Sequence, residues 1–182
     1  MLALSDPTRD EAPGVPSFEQ LYRESVADVH GYAISLLGDR ASAEDVTALA
    51  FERLYRARSR LDSRRGTPRA LLFTIVRNAA LDELRRRARQ PELVAEPEAR
   101  EAQQDHDEQL ARIERRETVR AALSTLTLRE REIVLLKFHG QLTNAELGRV
   151  LSISESNAAT RLHRALHSLR ERCADIDREE VA

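Results

Sequence analysis

An acidic segment in the middle of this chain limits the size of any single hydrophobic core. Between Gln90 and Glu108, seven acidic residues accompany one arginine, Arg100, and the apolar residues show no periodic placement. The segment also contains Pro91 and Pro97. Because such a composition cannot bury enough apolar surface to fold, we predict a flexible linker over residues 90–108. The chain of 182 residues is thereby divided into two parts, each suited to one small domain.

The part before the linker carries the signals of helices and not those of strands. Ser17 is placed to cap a first helix, whose apolar residues follow at nearly helical spacing until Gly38 and Asp39. A second helix is predicted to begin at Ser42, with Asp45 completing its cap. A third helix follows before the linker, and all three helices are expected to pack through their apolar stripes into one core.

The third helix has the clearest start signal, since Thr67 suits the N-cap position and Pro68 suits the first helical position. Along this helix the apolar residues share one side. The opposite side is predicted to be polar, with Thr74, Asn78, Asp82, Arg85 and Arg89.

The part after the linker contains a pattern typical of a helix-turn-helix, from Gly140 to Arg172. Thr143 caps a short helix, the turn Ser152–Ser154 follows, and Gly148 stands where two crossing helices would approach closely. Ser154 then caps a second helix with Ala158 among its inner residues. The polar residues of this helix are predicted to point outward; they are Ser156, Asn157, Thr160, Arg161 and Arg164.

An outward face of this kind has two interpretations. In a DNA-binding helix-turn-helix, the N-terminal half of the second helix enters the major groove, where arginine and asparagine read base edges and phosphates. The alternative is an ordinary helical hairpin with a solvated polar face. The cap, the turn and the small residue occur together at the right spacing, which favours DNA binding.

The distribution of charge supports contact with nucleic acid although the formal net charge is only −2. Between Arg53 and Arg89 there are twelve arginines and three acidic residues. Because electrostatic interactions fade over a Debye length of roughly 10 Å, such a basic block matters more than the net charge. Biased genomic composition is the alternative explanation for the arginines.

Other classes of protein fit the sequence poorly. The sequence contains no glycine-rich phosphate loop, no nucleophile elbow and no cluster of metal ligands, so we predict neither an enzyme nor a cofactor. His163 and His167 lack a further ligand nearby, so a metal site is not expected. With one cysteine, Cys173, and no long apolar run, the chain is predicted to be cytoplasmic and not inserted in a membrane.

With these motifs in order, the chain resembles the extracytoplasmic-function (ECF) sigma factors of bacterial RNA polymerase. The resemblance rests on SAEDVTALAFERLY at Ser42–Tyr55, on TIVRNAALDELRRR at Thr74–Arg87, on LTLREREIVLLKFHGQLTNAELGRVLSIS and on TRLHRALHSLRE at Thr160–Glu171. It implies a factor that binds core polymerase, directs it to specific promoters and assists promoter melting. It also implies that an anti-sigma protein is a further partner.

The resemblance implies a role for each part. The fold is expected to be all-α, with a disordered leader (1–16), a region 2-like domain (17–89), the linker (90–108), a region 4-like helix-turn-helix domain (109–175) and a tail (176–182). The helix-turn-helix face would bind the minus-35 element. The residues matched to polymerase binding are Glu44, Asp45, Phe51 and Tyr55, and a helical projection predicts that Glu44, Phe51 and Tyr55 lie off the buried stripe of their helix. The residues matched to the minus-ten element are Arg64, Arg65, Thr67, Arg69, Asn78, Arg85 and Arg86.

Some positions depart from the family pattern. Ala48 and Leu49 stand where the polymerase-docking helix usually has polar residues, and Leu71 replaces an expected tryptophan. Ser152 replaces the usual turn glycine, and Ala159 stands where a lysine often meets DNA. The alternative function is a helix-turn-helix regulator that binds its operator without polymerase, although this leaves the basic segment and the acidic linker unexplained.

Overall fold

A computed structural model describes residues 17–57, 66–89 and 107–180 of the protein. These residues form helices joined by short connections, and no strand occurs within the described ranges. The predicted leader and all but the end of the predicted linker lie outside the described residues. The helices are α1 (Phe18–Leu37), α2 (Arg40–Ala57), α3 (Pro68–Arg89), α4 (Asp107–Thr125), α5 (Leu128–Phe138), α6 (Asn144–Leu151) and α7 (Glu155–Glu180).

The N-terminal unit consists of α1, α2 and α3, which all contact one another. Tyr32 of α1 and Phe73 of α3 meet edge to face at the centre, with ring centroids 5.8 Å apart and no exposed surface. Leu54 of α2 and Val76 of α3 are also buried. The predicted apolar stripes therefore close one core, as amphipathic helices require to bury their apolar faces.

The start of α2 differs from the prediction. Gly38 ends α1 in the left-handed conformation, with φ of 70°, and α2 begins at Arg40 rather than at Ser42. The carboxylate of Asp39 accepts a hydrogen bond of 2.9 Å from the Ser42 amide. Asp39 therefore acts as the cap, because its carboxylate accepts from a free amide of the first turn and lies three residues before the predicted cap at Ser42. The predicted start of α3 is confirmed, with the Thr67 hydroxyl accepting from the Ala70 amide at 3.2 Å.

The C-terminal unit consists of α4 to α7, with α7 packed against the other three. Reciprocal capping boxes start α5 at Thr127 and α6 at Thr143. Leu136, Leu142 and Leu147 are almost fully buried where α5, α6 and α7 meet. The predicted helix-turn-helix is thus present as α6 and α7.

The turn between α6 and α7 brings the two backbones close together. Ser152 adopts the left-handed conformation, with φ of 56°, and the Ile153 amide donates to the Gly148 carbonyl at 2.8 Å. A Cβ atom at Gly148 would lie 2.8 Å from the Ile153 carbonyl oxygen, closer than side chains tolerate. The prediction that the two helices approach closely at Gly148 is confirmed. Ser152 adopts a left-handed conformation that glycine adopts at lower cost.

The two units also contact each other, which the sequence did not predict. Helix α1 packs against α5, and α3 packs against α6. Buried residues of both units belong to one continuous apolar cluster. The face of α3 that begins at Thr67 is consequently turned toward the C-terminal unit.

Candidate nucleic-acid interface

The outer face of α7 is arranged as the sequence predicted. Ser156, Asn157, Thr160, Arg161 and Arg164 are all exposed. The inner residues of the same turns, Ala158, Leu162 and Ala165, are buried against the rest of the C-terminal unit. The described residues thus hold a rigid helix end with a polar face open to a large ligand.

Hydrogen bonds fix part of this face. Arg161 Nε donates to Asn157 Oδ1 at 2.9 Å, one turn earlier, and the Thr160 hydroxyl donates to the Ser156 carbonyl at 3.0 Å. Arg164 makes no hydrogen bond or ion pair to the described residues. One guanidinium is therefore held in position beside the N-terminus of α7, while the second stays available to base edges or phosphates.

The two histidines of α7 are exposed. His167 Nε2 lies 3.4 Å from Glu171 Oε1, and no group of three metal-binding side chains is found among the residues that the structure describes.

The polar side of α3 carries three of the residues matched to the minus-ten element. Asn78 and Arg85 are exposed, and Arg85 forms an ion pair of 2.8 Å with Asp82. Arg86 is held more firmly, because Nε and Nη2 each donate to Glu83 at 2.8 Å. The Arg86 guanidinium is thus occupied by a carboxylate of its own helix.

Arg87, next to these residues, stabilises the fold. Its side chain is only one-fifth exposed and donates to the Leu37 carbonyl at 3.1 Å, to Asp39 at 2.9 Å and to Glu83 at 3.0 Å. It therefore joins the end of α1, the start of α2 and α3. Hydrogen bonds from Arg86 and then from Arg87 lower the pKa of Glu83 to about 2, against the opposing effect of burial.

The residues at the start of α3 are engaged with the C-terminal unit. Arg64 and Arg65 lie outside the described residues. The Thr67 hydroxyl donates to Glu146 Oε1 of α6 at 2.5 Å. The Arg69 guanidinium donates to the carbonyls of Gly140 and His139, at 2.6 and 2.8 Å. Thr67 stays exposed although its hydroxyl is bonded to Glu146, whereas the Arg69 side chain is only 23% exposed.

The face matched to polymerase binding is only partly exposed. Glu44, Asp45 and Tyr55 are exposed, and Tyr55 is 43% accessible. The prediction that Phe51 lies off the buried stripe is wrong, because Phe51 is 4% accessible. Helix α1 covers it, and the Tyr22 ring meets the Phe51 ring at a centroid distance of 4.7 Å. A helical projection considers α2 alone, so it could not show that α1 covers Phe51.

Two family models match the chain, in the order of the two helical units. The model described as Sigma-70 region 2 matches residues 21–90, and the model described as Sigma-70, region 4 matches residues 116–169. The ECF RNA polymerase sigma factor SigL of Mycobacterium tuberculosis (strain H37Rv) is 32% identical over 152 residues, which cover 82% of this chain and 85% of SigL. This chain belongs to the ECF sigma factors.

A further relative and two solved structures are similar to this sigma factor over most of its length. SigK of Mycobacterium bovis is 29% identical over 167 residues, covering 88% of this chain and 87% of SigK. The structure of RpoE in complex with the anti-sigma factor NepR from Bartonella quintana aligns with a TM-score of 0.69 at 21% identity, over 85% of this chain and 95% of that chain. CnrH in complex with the cytosolic domain of CnrY aligns with a TM-score of 0.59 at 24% identity, over 85% of each chain. These solved structures share the fold.

Sequence reasoning missed the residues of this sigma factor that join its two units. Arg77 Nε of α3 and Glu132 Oε1 of α5 form an ion pair of 2.8 Å, and Glu132 is 6% accessible. His139 packs against Gly31, and burial lowers its pKa below the usual range. One signal was available, because Glu132 is a charged residue beside the apolar run Ile133–Leu136.

No helix in the described parts of the chain is both long and apolar enough to cross a lipid bilayer.

Proposed function

We propose that this sigma factor directs core RNA polymerase to its promoters through two DNA-binding surfaces, one on each helical unit. The domain boundaries proposed are 17–89 for the minus-ten-binding domain and 109–175 for the minus-35-binding domain. The observation that carries the proposal is the exposed polar face at the start of α7, held by a helix-turn-helix whose turn and caps are complete. Such a face has the shape and polarity that a major groove accepts.

The minus-35 surface is proposed to read DNA mainly through arginine. Arg161, oriented by Asn157, is placed for a bidentate contact to a guanine, while Arg164 is free for a second base or a phosphate. Ser156 and Thr160 lie on the same exposed face, where their hydroxyls suit phosphate contacts.

The minus-ten surface is proposed to combine the loop before α3 with the polar side of α3. Thr67 and Arg69, with Arg64 and Arg65, would hold an unstacked base, as promoter melting requires pockets for extruded bases. The single strand would then follow α3, where the groups available to its backbone are Asn78, Arg85 and Arg86.

Polymerase binding is proposed for the exposed side of α2. Glu44 and Asp45 supply charge, and Tyr55 supplies an aromatic surface that rests on Phe18 at a ring distance of 5.0 Å. Phe51 is proposed to contribute from beneath, because its ring supports the exposed Tyr22.

The family relationship supports three further proposals. The protein acts as a cytoplasmic transcription initiation factor and not as an enzyme. It binds core polymerase and promoter DNA. An anti-sigma protein holds it inactive, in line with RpoE and CnrH, which were solved as complexes with NepR and with the cytosolic domain of CnrY.

The test is run-off transcription with core polymerase and a genomic library of promoters, comparing wild type with the double variant Arg161→Ala/Arg164→Ala. Loss of a bidentate guanine contact should cost about 1–3 kcal/mol and relax specificity at one base pair. Loss of a phosphate contact should instead weaken binding to all sequences and reduce the salt slope by about one.

Arg170→Ala is the matched control, because Arg170 is exposed on the same helix but lies beyond the proposed DNA-binding turns. Unchanged promoter use by the double variant would contradict the assignment of α7. Promoter binding that needs no polymerase and resists salt would instead favour the operator-binding regulator.

A further inference from the structure

A hydrogen bond between two exposed side chains, Asn157 and Arg161, lies on the outer face of α7 near its N-terminus. Arg161 Nε donates to Asn157 Oδ1 at 2.9 Å, across one helical turn. In a carboxamide group only the oxygen accepts, so this contact also fixes the orientation of the Asn157 amide. Oδ1 is engaged with the guanidinium, while Nδ2 donates to no residue within the described ranges.

The helix beneath this contact is held at its cap and by the core. The Asn157 amide donates to the Ser154 hydroxyl at 3.2 Å, and the Ala158 amide donates to the Ser154 carbonyl at 2.9 Å. Ala158 and Leu162, which follow Asn157 and Arg161 in the chain, are buried against the rest of the unit. The backbone of the pair is therefore fixed, and the Asn157 oxygen restrains the Arg161 side chain.

The contact decides which groups of the pair remain for DNA. The bond from Nε leaves the N–H groups on Nη1 and Nη2, and this edge of a guanidinium can donate to two acceptors at once. Guanine offers two such acceptors in the major groove, O6 and N7. Asparagine reads adenine by accepting from N6 and donating to N7, which requires its oxygen as well as its nitrogen. Because Arg161 engages Oδ1, Asn157 has lost the acceptor that adenine requires.

We propose that Asn157 is a positioning residue, which contributes to minus-35 recognition by holding Arg161 so that its Nη1 and Nη2 groups face a guanine. This inference rests on the proposed function of α7 and changes the role of one residue within it, since Asn157 reads no base of its own. Guanine fits the pair through its two acceptors, whereas the amino group of adenine or cytosine would face only donors at the same position. A single base pair of the minus-35 element therefore depends on both residues.

The physical advantage of the contact is that Arg161 is oriented before DNA binds. A free arginine side chain has many rotamers and loses most of that freedom when it docks on a base. The bond to Asn157 removes part of this freedom in advance, whereas Arg164 is exposed and makes no hydrogen bond or ion pair to the described residues. Arg161 is therefore suited to a base edge, which demands a fixed geometry, and Arg164 to a phosphate.

The test uses the full chain bound to core polymerase and a duplex library randomised across the minus-35 element. The rest of the duplex is taken from a promoter found by run-off transcription. Bound duplexes are sequenced for wild type, Asn157→Ala, Arg161→Ala and the double variant. We expect both single variants to relax the guanine preference at the same base pair, by about tenfold for Arg161→Ala and about threefold for Asn157→Ala. In the Arg161→Ala background, Asn157→Ala should change no base preference further, because its effect passes through Arg161.

Asn157→Asp distinguishes positioning from direct reading. An aspartate keeps an acceptor for Arg161 Nε but loses the amide donor and adds a charge that phosphates repel. We expect this variant to bind all sequences more weakly and to keep the guanine preference that Asn157→Ala relaxes. A merely structural role would not give this pattern, and the thermal unfolding midpoint of each variant should stay close to that of wild type, because the altered side chains are exposed.

Glu171→Gln is the matched control. It alters an exposed contact of the same spacing on the same helix, between His167 Nε2 and Glu171 Oε1 at 3.4 Å. Glu171 lies beyond the proposed DNA-binding turns, so the base preferences of this variant should equal those of wild type.

The outcomes separate this inference from the proposed function. Relaxation of one guanine by both single variants, with no further change in the double variant, supports both. If Arg161→Ala relaxes a guanine while Asn157→Ala relaxes another base pair or none, the positioning role is overturned and the assignment of α7 stands. An A·T pair preferred where the variants act, or an equal weakening of all sequences, likewise overturns only the positioning role. Base preferences and affinities that stay unchanged in every variant overturn both.

Discussion

Replacing Glu83 should destabilise the N-terminal unit, because its carboxylate accepts hydrogen bonds from both Arg86 and Arg87. The pKa of Glu83 lies at about 2 rather than 4.5. A difference of that size corresponds to about 3.4 kcal/mol of preference for the ionised form in the folded state. Arg86 is 58% exposed, so solvent screens part of this interaction. We therefore expect Glu83→Gln to lower the free energy of unfolding by about 1–2 kcal/mol at pH 7.

The same shift gives a pH dependence of known sign. The folded-state pKa of Glu83 is depressed, so its contribution is fully present above pH 4.5 and is lost as the pH falls toward 2. Wild type should lose this stability between pH 4.5 and 2, and Glu83→Gln should lose correspondingly less in that range.

The assay can be confined to the relevant unit. The chain has three tyrosines and no tryptophan, and Tyr22, Tyr32 and Tyr55 all lie in α1 and α2. Tyrosine emission during urea denaturation therefore reports unfolding of the N-terminal unit, and the midpoint and slope give its free energy of unfolding.

Asp82→Asn is the matched control for this experiment. Asp82 is the preceding residue and, among the described residues, pairs only with Arg85; both side chains are about two-thirds exposed. Its loss should cost less than about 0.5 kcal/mol. If Glu83→Gln and Asp82→Asn have the same effect at pH 7, the reasoning from the Glu83 contacts is refuted.

Two further perturbations test particular residues. Phe51→Ala should lower the free energy of unfolding of the N-terminal unit by about 3–5 kcal/mol, because the ring is buried, whereas Tyr55→Ala should cost about 1 kcal/mol and weaken co-elution with core polymerase. Equal stability of the two variants would contradict the packing of α1 over α2. Ser152→Gly should raise the thermal unfolding midpoint of the C-terminal unit, monitored by circular dichroism, since a left-handed residue other than glycine carries a strain of about 1–2 kcal/mol. A lower midpoint would mean that the Ser152 side chain stabilises the turn.

The local features of this protein could be predicted from its sequence. The cap of α3 at Thr67, the capping box at Thr143 and the close approach at Gly148 all follow from residues within one or two turns of each other. The outward face of α7 follows in the same way from helical periodicity. The start of α2 is a local feature that the sequence pattern misplaces, because Ser42 matches a capping pattern while Asp39, three residues earlier, accepts the amide hydrogen bond.

What the sequence did not determine depends on contacts between residues far apart along the chain. In a projection of α2 alone, Phe51 lies off the apolar stripe, but α1 packs over it. Arg69 belongs to a loop motif matched to DNA, yet its partners include carbonyls about seventy positions later. Helical periodicity fixes which side of a helix is apolar and carries no information about which helix will cover it. The helices and the exposed polar side of α7 were therefore set by the sequence alone, while the burial of Phe51 and the contacts of Arg69 between the two units were decided by tertiary packing.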